Sequence, residues 1–351
     1  MTAANPSANP IATPLTPARI MEVGMAFWPA RTLLTAIKLG VFTELGDGVM
    51  TGAELRNKLG LHERSTPDFF DTLVALGFLE RDGDGESGKY KNTAETALFL
   101  DRNSPAFMGG FLEMAHDRLY PFWGNLADGL KTGKAQNETR DGGKGVFEEL
   151  YSQPERLEQF MDAMAGISVG NFQAFAEKFD FSNYKTLTDV GGATGLLSTL
   201  VAKENSNMTC TTTDLPAATE IAKRKIADAG VSDRVKAEPI DFFADAIPPA
   251  DVVTMGMILH DWNLEKKMML IQKAYDALPE GGAFVVIETL IDDARRENAF
   301  GLMMSLNMLI EFGEAFDYTG ADFDKWCKEV GFKRTEVMHL AGPASAGIAY
   351  K

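Results

Sequence analysis

The stretch TLTDVGGATGLLS, residues 186–198, is the most informative part of the sequence about the fold class. A short run rich in strand-forming residues enters a turn made by Gly191, Gly192 and Gly195, and an apolar helical pattern begins at Leu196. Glycines in such a turn let the backbone bend tightly and approach a ligand at the helix N-terminus. The spacing is not GxGxxG, so the turn alone is also compatible with a purely structural role. It predicts the first strand and helix of an open α/β sheet.

Further strand-like runs follow, each separated from the next by turn signals or a helical pattern. They are TCTTTD, VKAEPID, DVVTMGM and AFVVIET. This alternation predicts an α/β fold, a doubly wound parallel sheet with helices on both faces. Two last apolar runs, RTEVMHLAG and SAGIAYK, predict a terminal antiparallel hairpin.

The part of the chain before this sheet has a different pattern. Residues 1–17 contain four prolines and predict a flexible arm. From 18 to 104 the apolar residues recur at helical spacing, and the Gly-rich ERDGDGESGKY then predicts a wing, so this part is typical of a winged helix. Its presumed recognition helix carries Asp68 and Asp71 near its start and no basic cluster, which favours an interaction or dimerisation module over DNA binding. Residues 105–175 predict a helical linker and acceptor-pocket region, and 176–351 the sheet domain.

Composition excludes several classes of partner. Lys and Arg total 34 against 50 for Asp and Glu, and a net charge of −16 repels nucleic acid and anionic membranes. Two cysteines and four scattered histidines have no metal-ligand spacing, so we expect no metal site and a reducing, cytoplasmic location. No signal peptide or long uncharged apolar run is visible, so we expect neither secretion nor a membrane span.

Acidic residues end the second and third predicted strands. Asp214 follows Gly195 by 19 residues, where a carboxylate can accept both ribose hydroxyls of an adenosyl or a nicotinamide cofactor. Asp241 can accept an adenine amino hydrogen and Phe242 can offer its ring, although a capping aspartate and a core phenylalanine are the alternative. Because parallel strands end at one edge of the sheet, the three strand ends together predict an adenosine site.

MGMILHDWN, residues 255–263, places one of the four histidines at the end of a predicted buried strand. His260 is either a strand-end histidine with satisfied hydrogen bonds or a general base, because imidazole titrates near neutrality. Glu288, 28 residues later at the next strand end, would fix its tautomer and stabilise the imidazolium. This acid and the adenosine signals favour the general base. Asp261 and Trp262 are expected to be structural.

The motifs DVGGATG, DLP, DFF, LHDW and LPEGGAFVVIE resemble those of the S-adenosylmethionine-dependent small-molecule O-methyltransferases, which include caffeate and acetylserotonin enzymes. The resemblance covers nearly the whole chain. It implies a class I methyltransferase, Rossmann-like sheet and a winged-helix module that dimerises. It also implies S-adenosylmethionine as cofactor, S-adenosylhomocysteine as product, a small-molecule acceptor and a homodimer.

The resemblance assigns roles to individual residues. Those implied to bind the cofactor are Gly191, Gly192, Gly195, Asp214, Leu215, Asp241 and Phe242. His260 matches the general base, Glu288 matches a carboxylate that holds the base, and Asp317 stands where many relatives have glutamate. Ala193 replaces the usual middle glycine of the loop, which crowds the backbone slightly.

Two segments are candidates for the acceptor pocket, LMMSLNMLIEF at 302–312 and MAHDRLYPFW at 114–123. Methionines adapt to irregular ligands but also fill cores, and an arginine on a helix can simply be solvated. The candidate acceptor contacts are His116, Arg118, Tyr120, Met304, Asn307 and Met308.

The stretches HDRLYPFW and FDYTGADF also resemble methylthiohydroxybutyrate S-methyltransferases of dimethylsulfoniopropionate synthesis. A thioether has no proton to lose, so His260 would then bind or orient the acceptor and Arg118 would hold its carboxylate. The residues leave oxygen and sulfur open. A nicotinamide dehydrogenase shares the fold and a ligand-sensing regulator shares the wing, but the GGATG spacing and the −16 charge disfavour them.

Overall fold

The computed structural model of the chain describes residues 15–143, 150–151 and 153–351. The chain forms two compact units, the first ending at Ser104 and the second beginning at Pro105. The predicted arm, residues 1–17, lies outside the described residues except for its last three. Within the described ranges, no helix is long and apolar enough to cross a bilayer.

The first unit has the predicted winged-helix elements. Its helices are Ala18–Gly24, Phe27–Leu39, Val41–Leu45, Gly52–Leu59, Thr66–Ala75 and Ala94–Phe99. Its strands are β1 (Met50–Thr51), β2 (Leu79–Asp82) and β3 (Lys89–Asn92), in the antiparallel order β1-β3-β2. Asp71 accepts hydrogen bonds from Arg81 Nη1 (2.5 Å) and Tyr90 Oη (2.7 Å). This acid therefore connects helix Thr66–Ala75 to strands β2 and β3 of the wing.

The second unit is built on a seven-stranded sheet. Its strands are β4 (Thr186–Val190), β5 (Thr209–Asp214), β6 (Val235–Pro239), β7 (Val252–Gly256), β8 (Ala283–Glu288), β9 (Arg334–His339) and β10 (Ser345–Tyr350). The order is β6-β5-β4-β7-β8-β10-β9, with β4 to β8 parallel and β10 antiparallel to both β8 and β9. The doubly wound sheet and its terminal antiparallel hairpin are therefore confirmed.

Helices cover both faces of this sheet. The longer ones are Pro154–Lys178, Leu196–Glu204, Pro216–Asp228, Leu264–Ala277, Ala299–Phe312 and Gly320–Val330. The shorter ones are Gly109–Met114, a π-helical turn Ala115–Leu119, Tyr120–Trp123 and Leu126–Thr132. Strand β8 shows why two layers are needed. Val285 and Ile287 pack in one core layer, Phe284 and Val286 in the other, because alternate strand residues point to opposite faces.

The predicted boundary between a helical linker (105–175) and the sheet domain (176–351) falls inside helix Pro154–Lys178. Phe175 and Ala176 are both buried in the same core layer beneath the sheet. The helical segment and the sheet are therefore parts of one compact unit.

Candidate active site

A cavity of about 420 Å³ lies at the carboxyl ends of the parallel strands. This volume suits a small-molecule site, and parallel α/β sheets bind ligands at this edge. Residues at or just after the ends of β4, β5 and β7 line one side. Phenylalanine and methionine side chains dominate the other side, among them Phe111, Met114, Phe160, Met164, Met308 and Phe312.

The glycine turn after β4 is shaped by close packing. Gly191 has φ +68, and a Cβ there would lie 2.4 Å from Ile258 Cδ1. A Cβ on Gly192 would lie 2.0 Å from Thr212 Oγ1. Both glycines line the cavity. Gly195, at φ +74, is the N-cap of helix Leu196–Glu204. It is not among the residues that line the cavity.

Gly192→Ala should lower the free energy of unfolding by about 1–3 kcal/mol, because the new methyl group has no room between Thr212 and Asp189. Gly170→Ala is the matched control, since a Cβ in that helical position meets nothing within 4 Å. It should raise stability by roughly 0.5–1 kcal/mol. Equal effects of the two substitutions in urea unfolding would show that the turn is not tightly packed.

Ala193 occupies left-handed backbone at φ +47, and its N–H donates to Asp214 Oδ2 at 3.0 Å. The crowding expected from the missing glycine is thus a backbone strain, which costs a non-glycine residue about 1–2 kcal/mol.

Ala193→Gly should therefore stabilise the protein by up to about 1 kcal/mol, whereas Ala227→Gly, at an exposed helical position, should destabilise it by about 1 kcal/mol. Thermal unfolding compares them, and a loss of stability in Ala193→Gly would refute the strain.

Asp214, at the end of β5, is 8% exposed and lines the cavity. Oδ1 accepts from Leu215 N–H (2.7 Å) and Tyr151 Oη (2.8 Å), and Oδ2 accepts from Ala193 N–H. Burial raises the pKa of Asp214, while these three hydrogen bonds oppose the rise. The sequence did not identify Tyr151 as a site residue, because 63 residues separate it from Asp214.

Asp241 and Phe242 follow β6 and line the cavity. Asp241 Oδ1 also accepts from Phe243 N–H at 2.9 Å, so the aspartate has the capping role that the sequence left open. The Phe242 ring packs edge-to-face on Phe243, with centroids 4.7 Å apart, and Phe243 packs on Trp262. An aromatic wall thus stands beside an exposed carboxylate.

Asp189, the last acid before the glycine turn, was not a sequence candidate. Its Oδ1 accepts from Thr254 Oγ1 at 2.8 Å, and its buried Oδ2 has no hydrogen-bond partner among the described residues. Burial raises its pKa to about 7, and the charge of Asp214 adds to the rise. The sequence feature that could have identified Asp189 as a site residue is its position as an acid inside the otherwise uncharged strand β4. Its unpaired oxygen suits a cationic or hydrogen-bonding ligand group.

His260 lies in a 3-10 turn, Leu259–Asp261, directly after β7. It is 4% exposed and lines the cavity. Asp317 Oδ1 lies 3.3 Å from Nδ1, and Asp261 Oδ1 lies 3.4 Å from Nε2. Burial alone would lower the pKa of His260, but the charges of Asp261, Asp317 and Glu288 outweigh burial and raise it to about 10.

The two predicted acids act on different parts of His260. Glu288 Oε1 accepts from the backbone N–H of His260 at 3.1 Å, so this carboxylate fixes the turn, whereas Asp317 is the acid beside ring Nδ1. The sequence expected Glu288 to hold the imidazole. Asp261, expected to be structural, lies beside the imidazole and lines the cavity. Among the described residues, no group of three or more potential ligands could hold a metal ion.

Arg118 lines the cavity but its charge is already paired. Nε and Nη2 donate to Glu138 at 2.6 and 2.8 Å, and Nη2 also donates to Glu311 at 2.9 Å. Because two carboxylates hold the guanidinium, it is neither the solvated charge nor the free anion partner that the sequence left open.

Met304, Asn307 and Met308 also line the cavity, from helix Ala299–Phe312. Asn307 Oδ1 accepts from Trp123 Nε1 at 2.8 Å, which fixes the orientation of its amide. The other two candidates, His116 and Tyr120, are not among the lining residues.

Comparison with known proteins gives a consistent result. Residues 123–333 match the model of the O-methyltransferase domain, and residues 21–102 match that of the O-methyltransferase dimerisation domain. The chain is 34% identical over 335 residues to the tetracenomycin polyketide synthesis 8-O-methyl transferase TcmO of Streptomyces glaucescens, covering 95% of this chain and 97% of the relative. It is 30% identical over 334 residues to the 3-hydroxy-5-methyl-1-naphthoate 3-O-methyltransferase of Streptomyces sahachiroi, covering 95% and 94%. The crystal structure of human N-acetylserotonin methyltransferase in complex with S-adenosylmethionine has a TM-score of 0.88 at 26% identity, covering 97% of this chain and 99% of that chain.

These matches disfavour the dehydrogenase and regulator alternatives. They agree with the sheet order, the cavity at its carboxyl edge and the winged first unit. The chain is a methyltransferase and belongs to the O-methyltransferase family.

Proposed function

We propose that this enzyme transfers the methyl group of S-adenosylmethionine to a hydroxyl oxygen of an uncharged aromatic compound, with His260 as general base. The observation that carries the proposal is the buried imidazole of His260 at the edge of an apolar cavity, with Asp317 3.3 Å from Nδ1. Asp317 beside Nδ1 would favour the tautomer in which Nε2 accepts a proton, and Asp261, 3.4 Å from Nε2, would stabilise the imidazolium that forms.

The strand-end residues fit an adenosyl cofactor. A carboxylate has about four acceptor sites, and three hydrogen bonds from protein groups reach Asp214. Its remaining site is open to one ribose hydroxyl, and a ribose that displaces Tyr151 Oη would use a second. Asp241 and Phe242 would hold the adenine. Asp189 Oδ2, which has no hydrogen-bond partner among the described residues, would meet the ammonium of the methionine part.

When bound, S-adenosylmethionine would supply the methyl carbon of a sulfonium as the electrophile, and S-adenosylhomocysteine would be the leaving group. His260 Nε2 would take the proton of the acceptor hydroxyl while the oxygen forms its bond to the methyl carbon and the carbon–sulfur bond breaks. Asp317 stabilises the resulting imidazolium, and Glu288 keeps the turn in place through the His260 N–H. S-adenosylhomocysteine and a methyl ether are the products.

The cavity wall supports an uncharged aromatic acceptor. Its phenylalanine and methionine side chains offer flat and adaptable apolar surface. Arg118, the cation expected to bind an acceptor carboxylate, is held by Glu138 and Glu311. This pairing disfavours 4-methylthio-2-hydroxybutyrate. The two relatives named for O-methylation of a polyketide and of a hydroxynaphthoate support an aromatic hydroxyl.

Methyl transfer from labelled S-adenosylmethionine to a panel of acceptors tests the proposal. The panel holds hydroxynaphthalenes, catechols, hydroxyindoles and 4-methylthio-2-hydroxybutyrate, and the products are read by mass spectrometry and NMR. We expect a labelled methyl ether of a ring hydroxyl. Label on the thioether sulfur, with no ring ether formed, would overturn the proposal in favour of S-methylation.

The pH dependence of kcat provides a further prediction. Because the neighbouring carboxylates raise the pKa of His260 above its ordinary value of 6.5, kcat should rise with pH and have its midpoint above 6.5. Glu288→Gln removes one negative charge that favours the imidazolium, so the midpoint should move down. Glu280→Gln is the control, since that side chain is 75% exposed on the surface. A midpoint that moves up in Glu288→Gln would contradict the electrostatic assignment.

We also propose that the enzyme is a cytoplasmic homodimer that pairs through its first unit. The match of residues 21–102 to a dimerisation domain supports this. So do the exposed large apolar side chains of the first two helices, Ile20, Met21, Val23, Phe27 and Trp28. Light scattering after gel filtration should give twice the chain mass, and a Phe27→Asp, Trp28→Asp double variant should reduce it to one chain.

A further inference from the structure

Lys273, on helix Leu264–Ala277, donates three hydrogen bonds to one short loop that follows β6. Its Nζ lies 2.8 Å from the carbonyl oxygen of Phe242, 2.7 Å from that of Phe243 and 2.8 Å from that of Asp245. An ammonium group has three protons, so these three acceptors use its whole donor capacity. The side chain is half-buried, and Lys273 is not among the residues that line the cavity.

The loop that accepts these bonds, residues 241–245, also forms a turn of its own. The N–H of Asp245 donates to the carbonyl oxygen of Asp241 at 2.7 Å, and the N–H of Asp241 donates to Asp245 Oδ2 at 2.9 Å. The N–H of Phe243 donates to Asp241 Oδ1 at 2.9 Å. The other oxygen of this carboxylate, Oδ2, has no hydrogen-bond partner among the described residues, so it is open to a ligand donor.

The turn brings three carbonyl oxygens together at one point. Each oxygen carries partial negative charge, so the three repel one another unless a cation or a donor lies between them. Hydrogen bonds to an ammonium are stronger than those between neutral groups. Without the ammonium, the carbonyl groups of Phe242, Phe243 and Asp245 would have to rotate toward water, and the backbone dihedrals of the loop would change with them.

We propose that Lys273 is a positioning residue for the adenine of the cofactor: its ammonium fixes the loop in the conformation that presents the Asp241 carboxylate and the Phe242 ring to that base. The inference rests on the proposed function, in which these two residues hold the adenine. Because Lys273 does not line the cavity, the loop alone carries its effect on S-adenosylmethionine. The carbonyl that it holds and the ring that would meet the adenine belong to the same residue, Phe242.

Lys273→Met tests the inference, because it removes the ammonium and keeps an unbranched side chain. The Kd of S-adenosylhomocysteine, measured by titration calorimetry, should rise by about tenfold or more, the loss expected for a hydrogen bond to a charged group. The kcat at saturating cofactor and the KM of the acceptor should stay near their wild-type values, because His260 and the apolar cavity wall lie outside the loop.

An analogue of S-adenosylhomocysteine in which hydrogen replaces the 6-amino group separates positioning from general destabilisation, because it cannot donate to Asp241. The wild-type enzyme should bind the adenosyl compound about tenfold to a hundredfold more tightly than this desamino analogue. Lys273→Met should lose most of that preference, and Lys273→Arg, which keeps a charged donor, should retain it. Lys328→Met is the matched control: this lysine is 57% exposed and pairs with Asp324 on its own helix, so both affinities should be unchanged.

An unchanged preference for the adenosyl compound in a folded Lys273→Met variant would overturn the inference, even if its melting temperature fell. Lys273→Gln takes its place if the methionine variant does not fold. The amide can donate to two of the carbonyls without a charge, so a smaller loss of preference is expected, and no loss is again contradictory.

The wild-type enzyme distinguishes the two proposals. If it binds the adenosyl compound and the desamino analogue equally, Asp241 does not hold the adenine, and the proposed adenine site fails together with the role of Lys273. If the wild-type enzyme prefers the adenosyl compound and Lys273→Met prefers it as strongly, only the role of Lys273 is refuted.

Discussion

His260→Gln should lower kcat by about 10²–10⁴-fold, the usual contribution of a positioned general base. The affinity for S-adenosylmethionine should stay within a few-fold, because the proposed cofactor contacts lie at the ends of β4, β5 and β6 rather than on the imidazole. The loss belongs to the chemical step, so single-turnover methylation should fall as much as steady-state kcat.

The matched control is His339→Gln, which changes an exposed histidine on β9. It should retain full activity. Calorimetric titration with S-adenosylhomocysteine and single-turnover kinetics together separate binding from chemistry. If His260→Gln lost cofactor binding and chemistry in equal measure, His260 would be a structural residue of the turn and not the base.

Asp214→Ala should weaken the binding of S-adenosylmethionine by about 100-fold or more. Hydrogen bonds to a charged group are each worth about 1.5–3 kcal/mol, and the carboxylate is expected to make two with the ribose. Its removal also leaves the Ala193 N–H, the Leu215 N–H and the Tyr151 hydroxyl without their acceptor. The glycine turn should therefore lose its fixed shape.

Tyr151→Phe and Asp233→Ala are the two comparison variants for Asp214→Ala. Tyr151→Phe removes one donor to Asp214 but leaves the carboxylate, so cofactor affinity should change by much less than in Asp214→Ala. Asp233 is 75% exposed, and its removal should have no effect. Titration calorimetry with S-adenosylhomocysteine measures all three, and unchanged affinity in a folded Asp214→Ala variant would remove Asp214 from the site.

The strands and the edge at which they end were predictable because their signals are local. TLTDV, TCTTTD and AFVVIE each carry their own strand-forming residues, and a parallel sheet brings their carboxyl ends together whatever the details of packing. For this reason Asp214, Asp241 and His260 all line one cavity.

The pairing of charges was not predictable, because it depends on which distant side chains reach each other. Arg118 meets Glu311, 193 residues away, and Tyr151 meets Asp214 across 63 residues. Glu288 contacts the backbone N–H of His260 and Asp317 lies beside its ring, because of where the 3-10 turn places these two groups.

A crystal structure of the enzyme with S-adenosylhomocysteine and a hydroxylated aromatic acceptor would test the proposed site and base together. We expect the ribose on Asp214, the adenine between Asp241 and Phe242, and the acceptor hydroxyl within hydrogen-bond distance of His260 Nε2. An acceptor oxygen bound away from His260, or a nucleoside held elsewhere than at the ends of β4, β5 and β6, would contradict it.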